Sequence, residues 1–229
     1  MTDMPRQLSF DLPVRPALGR EDFFVAPSNA LAIDLIDRAP DLPGAKLAIT
    51  GARASGKTHL AHVWAAEYGG RLLPAAGLDE DLVPALAQGP VAVEDVPDIA
   101  GNRQRERALF HLHNMLAQAG QPLLLTGRDA PSRWNIVLPD LKSRIAAAAH
   151  AELEAPDDAL LAAVLVKHFT DRQLMPRPDV IPYVIRHMER SFAAAAEMVA
   201  RLDRAALDAR RDVTRALATE VLGNTRDAG

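Results

Sequence analysis

Gly51, Ala52, Arg53, Ala54, Ser55, Gly56, Lys57 and Thr58 read G-x-x-x-x-G-K-T, a spacing that suits a nucleotide polyphosphate. The two glycines let backbone N–H groups curl around an anion, the lysine reaches the terminal phosphates, and the threonine hydroxyl helps to hold magnesium. With His59 next in line, these residues form the expected contact set for ATP or ADP with Mg2+. A second group of chemically competent residues lies at Glu94 and Asp95, which close the apolar run Pro90-Val91-Ala92-Val93. Acids at the C-terminal end of a parallel strand lie beside the crevice where ligands bind. Glu94 is the candidate to hold magnesium with Thr58, and Asp95 the candidate to orient an attacking water. Glu94 stands where the metal-side acid is ordinarily Asp, and its extra methylene argues for weak turnover by the chain itself. A third candidate is Thr126, which ends the run Pro122-Leu123-Leu124-Leu125 and either senses a terminal phosphate or caps a turn.

These groups need a scaffold of alternating strands and helices. Leu47-Ala48-Ile49 reads as a buried strand entering the loop, and the residues from Thr58 read as a helix closed by Gly69 and Gly70. Upstream, Ser28 and Asn29 predict a cap for a helix over Ala30–Arg38, and the aromatics Phe23 and Phe24 fit either an adenine wall or core packing. Further strands are expected at Arg71–Ala75, Pro90–Val96, Pro122–Gly127 and Ala149–Ala155. Helices are expected at Asp79–Gln88, where Pro84 is a poor fit, and at Asn102–Ala119. Arg103, Arg105 and Arg107 on the latter read as a solvated face, and His111 and His113 point to different faces and cannot share a metal. From Pro156 only helices are expected, over Asp157–Thr170, Pro178–His187, Phe192–Ala209 and Val213–Leu222, with a loose tail from Gly223 to Gly229. The pattern predicts an α/β three-layer domain with a parallel sheet over residues 17–155, followed by a small all-helical domain over 156–229.

Composition narrows the classes. The 229 residues are 48% hydrophobic and 24% charged, contain no cysteine and show no long apolar run or secretory leader, so a soluble cytoplasmic protein is expected. A net charge of −4 gives no overall attraction to duplex DNA, so any DNA contact is expected to run mostly through partners. Residues 1–16 read as an extended arm in which Leu8, Phe10 and Leu12 alternate with polar residues. That pattern fits a docking peptide or an edge strand. Gln7-Leu8-Ser9-Phe10-Asp11-Leu12 resembles the peptides by which replication proteins bind the DNA polymerase sliding clamp.

The ordered set DFFVAPSN, GARASGKTHL, VAVEDV, LLLTGRDAP and LPDLKSRI resembles the AAA+ part of the DnaA family of replication initiators across residues 20–222. Members of that family continue into a helix-turn-helix DNA reader. An AAA+ unit read as ending at its lid, with a clamp-like N-terminal peptide, resembles the Hda branch, whose members inactivate DnaA. The resemblance implies a P-loop AAA+ fold with a helical lid, nucleotide binding by residues 51–59, Thr126 as sensor 1, and Arg144 as an arginine finger acting in trans. It also implies clamp binding through Gln7, Leu8, Phe10 and Leu12, with DnaA as the second partner and self-association left open. Ala193 occupies the position of the lid arginine called sensor 2, and Arg190 is the residue expected to substitute for it. Negative regulation of initiation through hydrolysis of DnaA-bound ATP is the leading expectation. A DnaA-like ATPase that loads a helicase is the alternative.

Overall fold

The computed structural model describes residues 25–226; Gln7, Leu8, Phe10, Leu12, Phe23 and Phe24 lie outside the described residues. Strands β1 (Lys46–Gly51), β2 (Arg71–Pro74), β3 (Val91–Glu94), β4 (Leu123–Gly127) and β5 (Ala149–Leu153) form one sheet in the order β2-β3-β4-β1-β5, with every pairing parallel. Parallel neighbours need long crossovers, so helices must cover both faces. That double cover explains why the strands read as continuous apolar runs without alternation.

The two-residue period of the strands sorts those runs between the faces. Leu47, Ile49, Ala92 and Leu124 pack with α1 (Ala30–Asp37) and α2 (Lys57–Glu67) through Ile33, Ile36, Leu60 and Trp64. Ala48, Val91, Val93, Leu123 and Leu125 face the other way. They pack with α3 (Val83–Leu86), α4 (Arg103–Gln118) and α5 (Pro139–Ala146) through Leu86, Leu109, Leu112, Leu116, Leu141 and Ile145. Strand β1 lies between β4 and β5, with Leu47 opposite Leu124 and Ala149.

Local chemistry sets the helix ends. Helix α2 stops at Gly69, in the left-handed region at φ 62°, and the Gly70 N–H closes back on the Ala65 carbonyl at 2.7 Å. Helix α4 ends the same way, with Gly120 at φ 64° and the Gln121 N–H on the Leu116 carbonyl at 2.8 Å. Its start is capped by Asn102, whose Oδ1 accepts the Arg105 N–H at 3.2 Å. Three expectations change. The helix expected over Asp79–Gln88 splits into a 3-10 turn at Glu80–Leu82 and the single turn α3, in which Pro84 sits within the first turn, where its missing N–H costs nothing. Asn29 occupies the cap position of α1 but makes no cap hydrogen bond there; its Oδ1 accepts the Ala26 N–H at 2.8 Å. The tail is helical as far as Arg226.

Helices α6 (Asp158–Asp171), α7 (Val180–His187), α8 (Phe192–Ala209) and α9 (Arg215–Arg226) form a lid with a core of its own, built on Leu161, Leu165, Phe169, Val184, Val199, Leu202 and Leu217. Asp157 caps α6 through the Leu160 N–H at 2.8 Å, and Ser191 caps α8 through the Ala194 N–H at 3.1 Å. Among the described residues no helix is long and apolar enough to cross a membrane.

His113 gives this fold a pH signature. It lies buried on the apolar stripe of α4; burial first, then the charges of Lys46 and Arg144, push it from 6.5 down to about 4, against a smaller upward pull from Asn114. The folded form keeps the imidazole neutral while the unfolded chain takes up a proton near pH 6.5. Stability is therefore complete above that value and is lost as pH falls toward 4, by about 3 kcal/mol. Urea titrations at pH 7 and at about pH 4.5 should show His113→Leu losing less stability than the wild type on acidification. Parallel losses would contradict this assignment.

Candidate functional site

The phosphate-loop sequence folds into a tight cradle between β1 and α2. Gly51 (φ 149°) and Gly56 (φ 99°) adopt backbone conformations closed to other residues, and Ala54 is left-handed at φ 58°. Space is equally restrictive. A Cβ at Gly51 would lie 2.5 Å from the Leu153 carbonyl oxygen of β5, and one at Gly56 would lie 2.8 Å from Cε2 of Phe192 in the lid. The Lys57 side chain folds into the loop, where Nζ donates to the carbonyls of Gly51 (2.8 Å) and Ala52 (2.7 Å) and meets Ser55 Oγ at 3.5 Å. Burial lowers the pKa of Lys57; Asp95 and Glu94 oppose that shift, and Arg128 adds to it. A half-dehydrated ammonium in a loop without side chains at its two tightest points fits a polyphosphate. Thr58 and Arg53 are exposed at the cradle and His59 is half-buried. The lid reaches the same loop, with the Phe192 N–H on the Ala54 carbonyl at 3.4 Å.

The sheet order brings the second group to the same end. Strand β4 separates β1 from β3, so buried Thr126, opposite Ile49 of β1, lies between the loop strand and the acids. Its Oγ1 accepts the Asp95 N–H at 3.0 Å, and Asp95 is left-handed at φ 51°. The hydroxyl hydrogen of Thr126 is then still available to a third group. Glu94 is half-buried and Asp95 exposed. Thr126 thus holds the acidic turn by its oxygen and retains a donor, so the two roles expected for it are compatible.

Arg144 stands apart from the loop, exposed on α5 in the layer opposite α2. Its guanidinium lies 5.4 Å from the centroid of the Phe110 ring on α4, and among the described residues it makes no ion pair. It borders a depression lined by Phe110, Asp140, Ser143 and Ala147. A residue that the sequence reading passed over sets the start of α5. Glu106 is fully buried, and its carboxylate accepts the N–H groups of Gly101 (2.8 Å), Val137 (3.1 Å) and Leu138 (2.7 Å). The available signal was its place on the stripe Glu106, Leu109, His113, Leu116, a charge on the apolar face of an amphipathic helix. The neighbouring arginines are a separate matter: Arg103 and Arg107 are exposed, with Arg107 3.9 Å from Glu80.

Comparison with known proteins places this geometry. Residues 157–222 match the family model described as Hda, lid domain. Domain III of the replication initiation protein DnaA from Thermotoga maritima superposes with a TM-score of 0.79 at 19% identity, over 93% of this chain and 98% of that one. The chain has a DnaA-like AAA+ fold with an Hda-type lid. AMPPCP-bound DnaA from Aquifex aeolicus superposes with a TM-score of 0.64 at 21% identity, over 80% of this chain and 64% of that one. An uncharacterised protein of Haemophilus influenzae is 28% identical over 202 residues, 83% of this chain and 87% of its own length.

Within the Hda-type lid, Arg190, the residue expected to substitute for the sensor 2 arginine, precedes α8. Helix α8 begins at Phe192 behind an extended Ser191 cap (φ −146°, ψ 152°), so Arg190 lies outside the helix and shares no face with Ala193. Its guanidinium instead meets Asp158 at the start of α6, at 2.6 Å.

Proposed function

We propose that this chain is a nucleotide-binding regulator of replication initiation that works on a partner's nucleotide more than on its own. The cradle Gly51, Ala52, Arg53, Ala54, Ser55, Gly56, Lys57, Thr58 and His59 takes the phosphates of ATP or ADP, with Thr58 and Glu94 holding magnesium and Thr126 donating to a terminal phosphate. A bound nucleotide would supply negative charge to the loop that Phe192 of the lid already touches. The atypical Glu94 and the alanine at 193 make turnover by the chain itself slow, although Asp95 is placed to orient water. The Hda-type lid and the AMPPCP carried by a DnaA of the same fold support this reading.

Arg144 carries the functional assignment. It is an exposed guanidinium held over an aromatic ring, without a carboxylate partner among the described residues, on a helix remote from its own phosphate loop. Such a group is available to a neighbour's triphosphate. In this reading it reaches ATP bound to DnaA and stabilises charge on the transferred phosphoryl group. The arm at Gln7, Leu8, Phe10 and Leu12 docks on the sliding clamp, which brings the regulator to replicating DNA in the cytoplasm.

Clamp docking is tested by substituting Gln7, Leu8 and Phe10 together with alanine and measuring retention on clamp loaded on nicked circular DNA. Binding is expected to weaken by about 100-fold, since three anchor side chains of a peptide dock are lost. Nucleotide affinity should stay the same. Full retention on the clamp would assign these residues to the chain's own domain.

A further inference from the structure

We infer that Glu106 is a positioning residue for Arg144: its buried carboxylate locks the start of the arginine-bearing helix to the turn that follows the acidic strand β3. This rests on the reading of Arg144 as a finger acting in trans. Glu106 projects from the first turn of α4 into a site with no solvent exposure, where a carboxylate persists only if its lone pairs are filled. Three backbone donors fill them. Gly101 belongs to the turn leading out of β3, whereas Val137 and Leu138 lie about 30 residues further on, at the entry to α5. Leu138 is the cap residue of α5, and no side chain of its own segment bonds a helix amide there. The anionic Glu106 thus does from a different helix what a local cap does elsewhere, at the positive end of the α5 dipole.

The same carboxylate joins two parts of the molecule with different duties. The N–H of Asp95 is held by Thr126 Oγ1, a 3-10 turn runs from Val96 to Ile99, and the Gly101 N–H ends on Glu106. From Glu106 the path continues through two amides into α5, which carries Arg144 about two turns on. An arginine finger needs its guanidinium held within a fraction of an ångström of the productive position. Contact with Phe110 restrains the tip of the side chain, and Glu106 restrains the backbone from which it springs.

The test uses E106Q in the full chain, alone and with R144A. Glutamine keeps the shape but loses one acceptor oxygen and the charge. The expected result is nucleotide affinity within about twofold of wild type and a half-saturating concentration for the partner within about threefold, while the maximal rate of partner ATP hydrolysis falls about tenfold or more. The double variant should be no slower than R144A alone, because a group that acts only through Arg144 has nothing left to act on. A full maximal rate in E106Q, or a loss that adds to that of R144A, would overturn the proposal. Should E106Q not fold, E106D, which keeps the charge but reaches less far, is measured in the same way. If wild type itself fails to accelerate the partner, the regulator reading fails on its own, and amide exchange decides the positioning role. E106Q should then exchange about tenfold faster across Pro139–Ala146 while β3 and β4 stay protected, and equal exchange in both proteins would overturn it.

Discussion

Replacing Arg144 with alanine should reduce stimulation of DnaA-bound ATP hydrolysis by on the order of 10³-fold, the lower end of what an arginine finger contributes in other nucleotide hydrolases. The loss should be selective. Arg144 is exposed and makes no ion pair among the described residues, and its contact with Phe110 contributes only about 0.5–1 kcal/mol to stability. Folding, nucleotide binding and clamp binding should therefore survive. Arg144→Lys separates charge from shape: it keeps a cation over the Phe110 ring but lacks the planar fork, and it should recover only a small part of the rate. Single-turnover hydrolysis of radiolabelled ATP preloaded on DnaA is the measurement. An unchanged rate with Arg144→Ala would remove this residue from the mechanism.

Lys57→Ala should produce the second large effect. The ammonium is buried inside the loop, whereas Arg53 is exposed, and it is held by the Gly51 and Ala52 carbonyls in a partly dehydrated setting. A charge-assisted contact to phosphate in such a place is worth about 2–3 kcal/mol, so affinity for ATP and ADP should fall about 30- to 150-fold. The apo protein should lose about 1 kcal/mol of stability, because the buried Gly51 carbonyl is left without this donor while water can replace it at exposed Ala52. Calorimetric titration with each nucleotide reads the effect. Undiminished affinity would mean that the cradle is a structural turn.

The phosphate loop was legible in the sequence because its chemistry is local: the glycines, the lysine and the threonine act within a few residues of one another. The stop at Gly69 was equally local and appears where the spacing put it, whereas the side-chain cap expected of Ser28 and Asn29 does not form. The pairing of Thr126 with the acidic turn was also foreseeable, since both end apolar runs and parallel strands bring such ends together. What the sequence hid depends on distant partners. Glu106 sits among Arg103, Arg105 and Arg107 and drew no reading from the sequence; its donors at Val137 and Leu138 become neighbours only when α5 packs on α4. The surroundings of Arg190 were hidden too, because the Ser191 cap leaves it outside α8 and its guanidinium meets Asp158 at the start of α6. Pro84 marked trouble for its helix correctly, but the way that segment divides, with the proline moved into a first turn, is set by packing on α4.

The most direct test of the regulator reading is hydrolysis of DnaA-bound ATP measured in the presence of DNA-loaded clamp, with and without this protein. Conversion of DnaA-bound ATP to ADP should accelerate only when the protein and the loaded clamp are both present. Hydrolysis at the same rate with and without the protein would contradict the assignment of Arg144 to a partner's nucleotide.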